Sequence, residues 1–290
     1  MHRLFSILVL YCIVFQYTKG SSINDTLPFQ HKNERLLKFG ATAGRFAVRD
    51  METSPLIYKG TIPGFQMGAS FYGKKSIAFF NFNYSYGKLA TKNFPETDNN
   101  QPSAYNSISN LGYGRSVRFK FAPKSDFFLG ANLSLIANFR NNPKFNNANF
   151  NYEGFSPLGP ILIWERNVLL GSKQANFKYA GRKRSIKWAA SAFIPVISGV
   201  ARPAYPVIND FVDSNSNDFS LNQIKIVSFN RLVCLQFTSS VTYSFQNGNG
   251  FMLSYLWYYY NYYPAQNKVN GVAGTFNFSF LFKLNKNNVK

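Results

Sequence analysis

Apolar and polar positions alternate with a period of two over much of this chain. In 76–88, SIAFFNFNYSYGK, Phe80, Phe82, Tyr84 and Tyr86 share one parity, while Asn81, Asn83, Ser85 and Gly87 share the other. In 126–140, Leu129, Ala131, Leu133, Leu135, Ala137 and Phe139 alternate with Gly130, Asn132, Ser134 and Asn138. In 232–245, Val233, Leu235, Phe237, Val241, Tyr243 and Phe245 alternate with Cys234, Gln236, Thr238, Ser240, Thr242 and Ser244. A strand sends successive side chains to opposite faces, so this pattern predicts strands with one greasy and one polar face. Read along the chain, it predicts strands over 37–48, 64–73, 76–90, 114–123, 126–140, 159–169, 173–180, 184–194, 221–229, 232–246, 249–262 and 271–284. Gly40, Gly44 and Arg45 interrupt the first of these. The polar stretches 49–63, 91–113 and 141–158, rich in Asn, Pro or Gly, are expected to be external loops.

Length decides what the greasy face touches. Soluble strands are commonly about 5–6 residues, whereas a tilted strand crossing a bilayer needs roughly 9–11. Several segments here are of the longer kind. The expected fold is therefore all-β: a transmembrane antiparallel up-and-down β-barrel of about twelve strands, within a range of about 10–14. Trp257, Tyr258, Tyr259, Tyr260, Tyr262 and Tyr263 read as an interface girdle. With both termini in the periplasm, NGNG at 247–250 becomes a tight periplasmic turn and PAQNKVNG at 264–271 an external loop. Continuing backwards puts 228–231 and 181–184 outside and the long segment 195–220 on the periplasmic side. Merging 159–180 into one strand and a bend would put that segment outside instead.

The N-terminus adds an export signal. His2 and Arg3 precede an apolar run from Leu4 to Phe15, too short to span a bilayer as a mature helix. The expected organisation is a signal peptide over 1–20, a periplasmic segment over 21–36, the barrel over 37–284 and a tail over 285–290. No run of about 18 apolar residues follows, which excludes a helical bundle.

Composition sharpens the picture. Aromatic residues reach 18% and charged residues only 15%, an unusual surface for a soluble protein. The net charge is +20. Arg118, Lys120, Lys178, Lys187 and Lys225 fall opposite apolar neighbours, so they are expected to line the lumen. An outward charge at mid-bilayer would cost about 2–4 kcal/mol. No comparable set of inward acids is evident, with Glu165 the nearest. Excess positive charge in a narrow channel favours anions; the alternative is that these side chains snorkel to headgroups.

The last strand, GVAGTFNFSFLFKL, presents Phe276, Phe278, Phe280 and Phe282 on one face. With the signal peptide and the alternating aromatic strands, it resembles the C-terminal assembly signal of outer-membrane β-barrel proteins. The stretches YLWYYYNYYP and ARPAYP, within an Asn/Lys/Phe/Tyr-rich texture, are similar to uncharacterised barrels of the Bacteroidetes. The resemblance implies a bacterial outer-membrane location, contact with membrane lipids and lipopolysaccharide, and insertion by the outer-membrane assembly machinery.

Candidate chemistry is sparse. The only histidines are His2 and His31, both before the first strand, so a Ser-His or Cys-His nucleophile inside the barrel has no base. No enzyme activity, cofactor or metal site is expected. Cys234 reads as a small space-filler. Asp210, Asp213 and Asp218 miss the spacing and the glycine of a calcium loop. GRKRSIKW at 181–188 reads as a charged loop entering a strand rather than a nucleic-acid site. Three functions fit: a passive pore or uptake channel for small solutes with anion preference, a non-conducting barrel serving an envelope complex as a structural or accessory subunit, and a lipid-acting barrel enzyme, which the missing histidine disfavours.

Overall fold

The computed structural model describes residues 34–91, 103–122, 125–143, 150–170, 184–202, 224–264 and 268–284. Twelve strands run in chain order: β1 (Glu34–Asp50), β2 (Ser54–Tyr72), β3 (Ser76–Thr91), β4 (Ser103–Ala122), β5 (Ser125–Asn141), β6 (Phe150–Leu170), β7 (Arg184–Phe193), β8 (Ile197–Ala201), β9 (Lys225–Ser228), β10 (Leu232–Ser244), β11 (Gly250–Tyr262) and β12 (Val269–Leu284). All pair antiparallel. Ten of them close a ring: β1 to β6 in sequence, then β7, β10, β11 and β12, which returns to β1.

The two short strands extend this ring. Ile194 and Val196 keep hydrogen bonds to Pro160 and Leu158, so β8 continues β7 along β6. Strand β9 pairs with β8, and the turn at 229–231 joins it to β10. The barrel is therefore ten strands around, with one irregular seam.

Closure is staggered. From Ser279 the register runs through Gly40, Gln66, Asn83, Asn110 and Ile136 to Phe155. The other way it runs through Met252, Thr242 and Lys187 to Asn167 on the same strand, twelve residues away. Such a stagger goes with strands tilted by roughly 35–45°.

One parity faces lipid and the other the interior. On β12, Phe276, Phe278, Phe280 and Phe282 are exposed on the outer wall, while Thr275, Asn277 and Ser279 are buried. Leu129, Leu133, Leu135 and Phe139 on β5 and Leu253 on β11 are likewise exposed. Burial of polar side chains with exposure of large apolar ones inverts a soluble protein. It is what a hydrocarbon surround selects.

Several expectations are corrected. The loops at 49–63, 91–113 and 141–158 are shorter, because β2 begins at Ser54, β4 at Ser103 and β6 at Phe150. These strands project beyond the apolar band, where their outer face need not be greasy: Ser107 and Ser109 face outward while Ala104 and Asn106 are buried. Proline is accommodated by local lapses in pairing. The β2–β3 ladder breaks between Lys59 and Gly64, around Pro63, which has no N–H to give. Gly40 and Gly44 do not break β1. A Cβ at Gly40 would lie 2.2 Å from the Phe278 carbonyl oxygen, so the tight β1–β12 seam requires glycine there.

Short turns at 73–75 and 245–249 mark one end, which carries Glu34 and Leu284 and is taken as periplasmic. Gly248, at φ 84°, supplies the left-handed residue of the second turn. Arg184 opens β7 at this end, not outside. Ala201, paired with Gly154, and Lys225, paired with Val200, lie at the opposite, outer end, so the described chain leaves the wall and rejoins it there, which corrects the periplasmic placement of 195–220. Strand β6 runs unbroken to Leu170, which pairs with Arg184, and this fixes both positions. Residues 173–180, like the signal and tail regions, lie outside the described residues.

Candidate functional site: the barrel interior

The interior is layered. At the outer end, Asp50, Arg140, Asn151, Glu153 and Arg202 form a buried polar network. Arg140 ion-pairs with Glu153 through Nη1 at 2.8 Å and reaches Asp50 with Nη2. Arg202, just past β8, bonds Asp50 and also Glu52 at 2.7 Å. Asn151 donates to Asp50 at 2.6 Å and to Thr53 at 2.8 Å. Tyr260 donates to Glu153, and so does Asn138, at 2.6 Å. Glu52 sits in the β1–β2 turn. Burial pushes its carboxyl up to about 7, the neighbouring Asp50 adding to the rise and Arg202 opposing it.

Beneath lies an apolar plug. Phe46, Val48, Tyr58, Ile62, Leu89, Ile136, Phe155, Leu232, Cys234, Tyr258, Tyr260, Tyr262 and Val269 form one buried cluster. Phe155 and Tyr260 bring their rings to 5.1 Å across the interior.

A polar belt follows. Gln66 donates to Ser279, Asn277 to Ser254 at 3.2 Å, and Asn132 to Ser134 at 3.1 Å. Here a cavity of about 180 Å³ lies between Asn81, Asn83, Asn110, Asn132, Thr238 and the ring of Phe79. Its periplasmic floor is a charged triad: Lys187 donates to Tyr72 at 2.7 Å and to Glu165 at 3.3 Å, and Tyr72 donates to Glu165 at 2.9 Å.

The sequence-chosen residues fall as follows. Arg118 points inward, pairs with Asp126 at 3.5 Å and lies over the Phe128 ring. Lys187 points inward and pairs with Glu165. Lys225 is exposed at the start of β9. Lys120 is on β4, and Lys178 lies outside the described residues. The expectation that the interior lacks acids is corrected. Every described acidic residue is ion-paired: Glu34 with Lys283, Asp50 with Arg140 and Arg202, Glu52 with Arg202, Asp126 with Arg118, Glu153 with Arg140, and Glu165 with Lys187. Burying a charge without a partner is too costly, and this selects the pairs. Their members sit on different strands, neighbouring for Arg118–Asp126, Arg140–Glu153, Lys187–Glu165 and Lys283–Glu34 and far apart for Asp50 with Arg140 and Arg202, so no fixed local spacing announces them.

The girdle is split. Trp257, Tyr259 and Tyr263 face out, but Tyr258, Tyr260 and Tyr262 are buried inside, because alternate residues of a strand must take opposite faces. The outward girdle draws on other strands: Tyr86 stacks on Tyr105 at 6.3 Å, and Phe139 lies 6.5 Å from Tyr152. Among the described residues no group of three His, Cys, Asp or Glu side chains is placed to hold a metal. Residues 210–218 lie outside the described residues.

A closed antiparallel ring, a lipid-facing aromatic band and a polar interior together fix the location. The chain is an outer-membrane β-barrel. No family model matches it, and no curated protein matches it. Among solved structures it is similar in fold to the outer membrane protease OmpT from Escherichia coli, 7% identical, TM-score 0.42, covering 90% of this chain and 99% of that one. The transport unit of the autotransporter AIDA-I from Escherichia coli is 9% identical, TM-score 0.37, covering 94% and 97%. The P. putida toluene transporter TodX is 10% identical, TM-score 0.28, covering 88% and 91%. Likeness at this level carries no function, and the barrel assignment rests on the strand register itself.

Proposed function

We propose that this barrel is a non-conducting outer-membrane protein that serves an envelope complex as a structural or accessory subunit. The observation that carries this reading is the filled outer half of its interior. Phe46, Tyr58, Phe155, Tyr260 and Tyr262 pack into one cluster, and Arg140 and Arg202 tie acids from β1 and β6 above it. A passive uptake channel needs a continuous aqueous path, and this buried cluster stands across it. Pairing of Arg118, Arg140, Lys187, Arg202 and Lys283 with acids also weakens the basis for anion preference, since paired charges set up little field.

Contacts outside the barrel suit such a role. Arg45, Arg49, Lys59 and Lys88 are exposed on the outward parity of adjacent strands β1 to β3, toward the outer end. Cations at this level fit the phosphates of lipopolysaccharide. The β12 face bearing Phe276 to Phe282 fits recognition by the assembly machinery. A histidine-activated nucleophile has no part in this reading, because His2 and His31 both precede β1.

Planar-bilayer recording of the full mature barrel tests it. The expected result is a quiet membrane at protein loads that give steps with a general porin. Reproducible stepwise conductance from heat-modifiable, folded protein would overturn the reading. Native pull-down from the source envelope then identifies the complex.

A further inference from the structure

Two arginines stand on the outer wall toward the periplasmic end, among side chains that face lipid. Arg35 on β1 and Arg115 on β4 are both exposed. They belong to one row of the sheet: Arg35 pairs with Phe71, Phe71 with Ala78, and Ala78 with Arg115. Phe71 is exposed, so the row lies on the lipid side. Its β1 end is at the rim, one residue in from Glu34. The strand tilt lifts its β4 end into the apolar band. Arg115 stands between exposed Tyr113 and Val117, and β5 beside it presents Leu129 and Leu133.

Neither guanidinium has an acid of its own. Among the described residues, the ion pairs use other cations. A charge facing hydrocarbon is costly, more so with depth. An anion from outside the chain would relieve that cost.

The row is built to receive one. Neighbouring strands lie about 4.8 Å apart, so the Cα atoms of Arg35 and Arg115 are separated by roughly 14 Å. Both side chains line a single groove of about 340 Å³, with Phe71, Ala78 and Tyr113. The methyl of Ala78 keeps the floor low, and the two rings stand beside it. Glu34 also borders the groove, but Lys283 neutralises it. Roughly 10–15 Å³ holds one water, so the space takes a headgroup and the start of a chain rather than one bare ion. A guanidinium fork matches phosphate oxygens, and the phosphates at the edge of a bilayer belong to its lipids. An acidic protein segment would satisfy the arginines but leave the apolar walls without a chain to cover them.

We infer that this groove docks one phospholipid of the periplasmic leaflet, its phosphate between Arg35 and Arg115 and an acyl chain over Ala78 between Phe71 and Tyr113. This goes beyond the accessory role proposed above. It rests on the barrel's place in the membrane and holds whether or not the barrel conducts.

The test uses the full mature barrel, stripped of lipid in detergent, with dioleoylphosphatidylglycerol as probe and native mass spectrometry as readout. One lipid per barrel is expected to survive activation that removes the detergent. Binding should be at least tenfold weaker in Arg35→Gln/Arg115→Gln and partly restored in Arg35→Lys/Arg115→Lys. Ala78→Trp fills the floor with both arginines kept, and it should weaken binding while the protein stays heat-modifiable. Dioleoylglycerol, with the same chains and no phosphate, should not be retained. Arg166 on β6 and Arg184 on β7 lie at the same end of the barrel and outside the groove. Arg166→Gln/Arg184→Gln should therefore bind like the parent. The inference is overturned if folded Arg35→Gln/Arg115→Gln or Ala78→Trp retains the phospholipid like the parent. It is equally overturned if Arg166→Gln/Arg184→Gln loses it to the same extent, which would mean a general pull of the basic rim. Equal retention of dioleoylglycerol, or no retained phospholipid at all, also overturns it, the last leaving the arginines to an acidic partner protein.

Discussion

Arg140 on β5 and Asp50 at the end of β1 meet across the interior, although three whole strands separate them in the wall. The same guanidinium holds Glu153 on β6. Three strands are clasped at one point, and the clasp caps the apolar plug.

Removing that guanidinium should be severe. Arg140→Met leaves Asp50 and Glu153 buried with less compensation, and breaking such a pair costs about 3–5 kcal/mol. Urea unfolding of the barrel in detergent should show a loss in that range. The triple replacement Arg140→Met, Asp50→Asn, Glu153→Gln should recover much of it, because no orphan charge remains.

Acidity should strengthen the outer turn. The Glu52 carboxyl is raised to about 7 in the folded protein, above its ordinary value of 4.5. The folded state therefore holds a proton that the unfolded chain releases over that window. This stabilising contribution is present below pH 4.5 and is lost as pH rises through 7. Unfolding midpoints at pH 5 and pH 8 should differ in that sense for the parent, and Glu52→Gln should reduce the difference.

The lipid face should be depth-sensitive. Leu253 is 54% exposed and pairs with Phe278 in the middle of the apolar band. Leu253→Arg should cost about 2–4 kcal/mol in bilayer unfolding titrations, whereas Tyr263→Arg at the outer rim should cost about 0–1.

Cys234 is a free thiol buried in the apolar plug, 1% exposed. A maleimide-linked polymer should leave the folded barrel unlabelled for hours and shift its gel mobility within minutes after heating in SDS. Rapid labelling of folded protein would mean that the plug opens to water.

Much of this architecture was legible in the chain. Alternation placed β3, β5, β10 and β12 closely, since lipid on one side and a polar interior on the other impose period two without exception. The projecting ends of β2, β4 and β6 were not legible, because above the bilayer both faces tolerate Ser, Asn and Pro. The run Trp257–Tyr263 misled for the opposite reason: six aromatics side by side look like one feature, yet the pleat divides them between lipid and plug. The site was least visible. Arg140 shares its inward parity with Arg118 and Lys187, and only the three-dimensional fold shows which acid each of them meets.

The twelve-residue stagger has a consequence for biogenesis. Any level of the interior draws its side chains from every strand, at positions scattered along the chain. Tyr260 on β11 holds Glu153 within the clasp, and Val269 on β12 belongs to the seal beneath it, so both stay incomplete until the final hairpin joins the sheet and turns a loose ribbon into a locked cylinder.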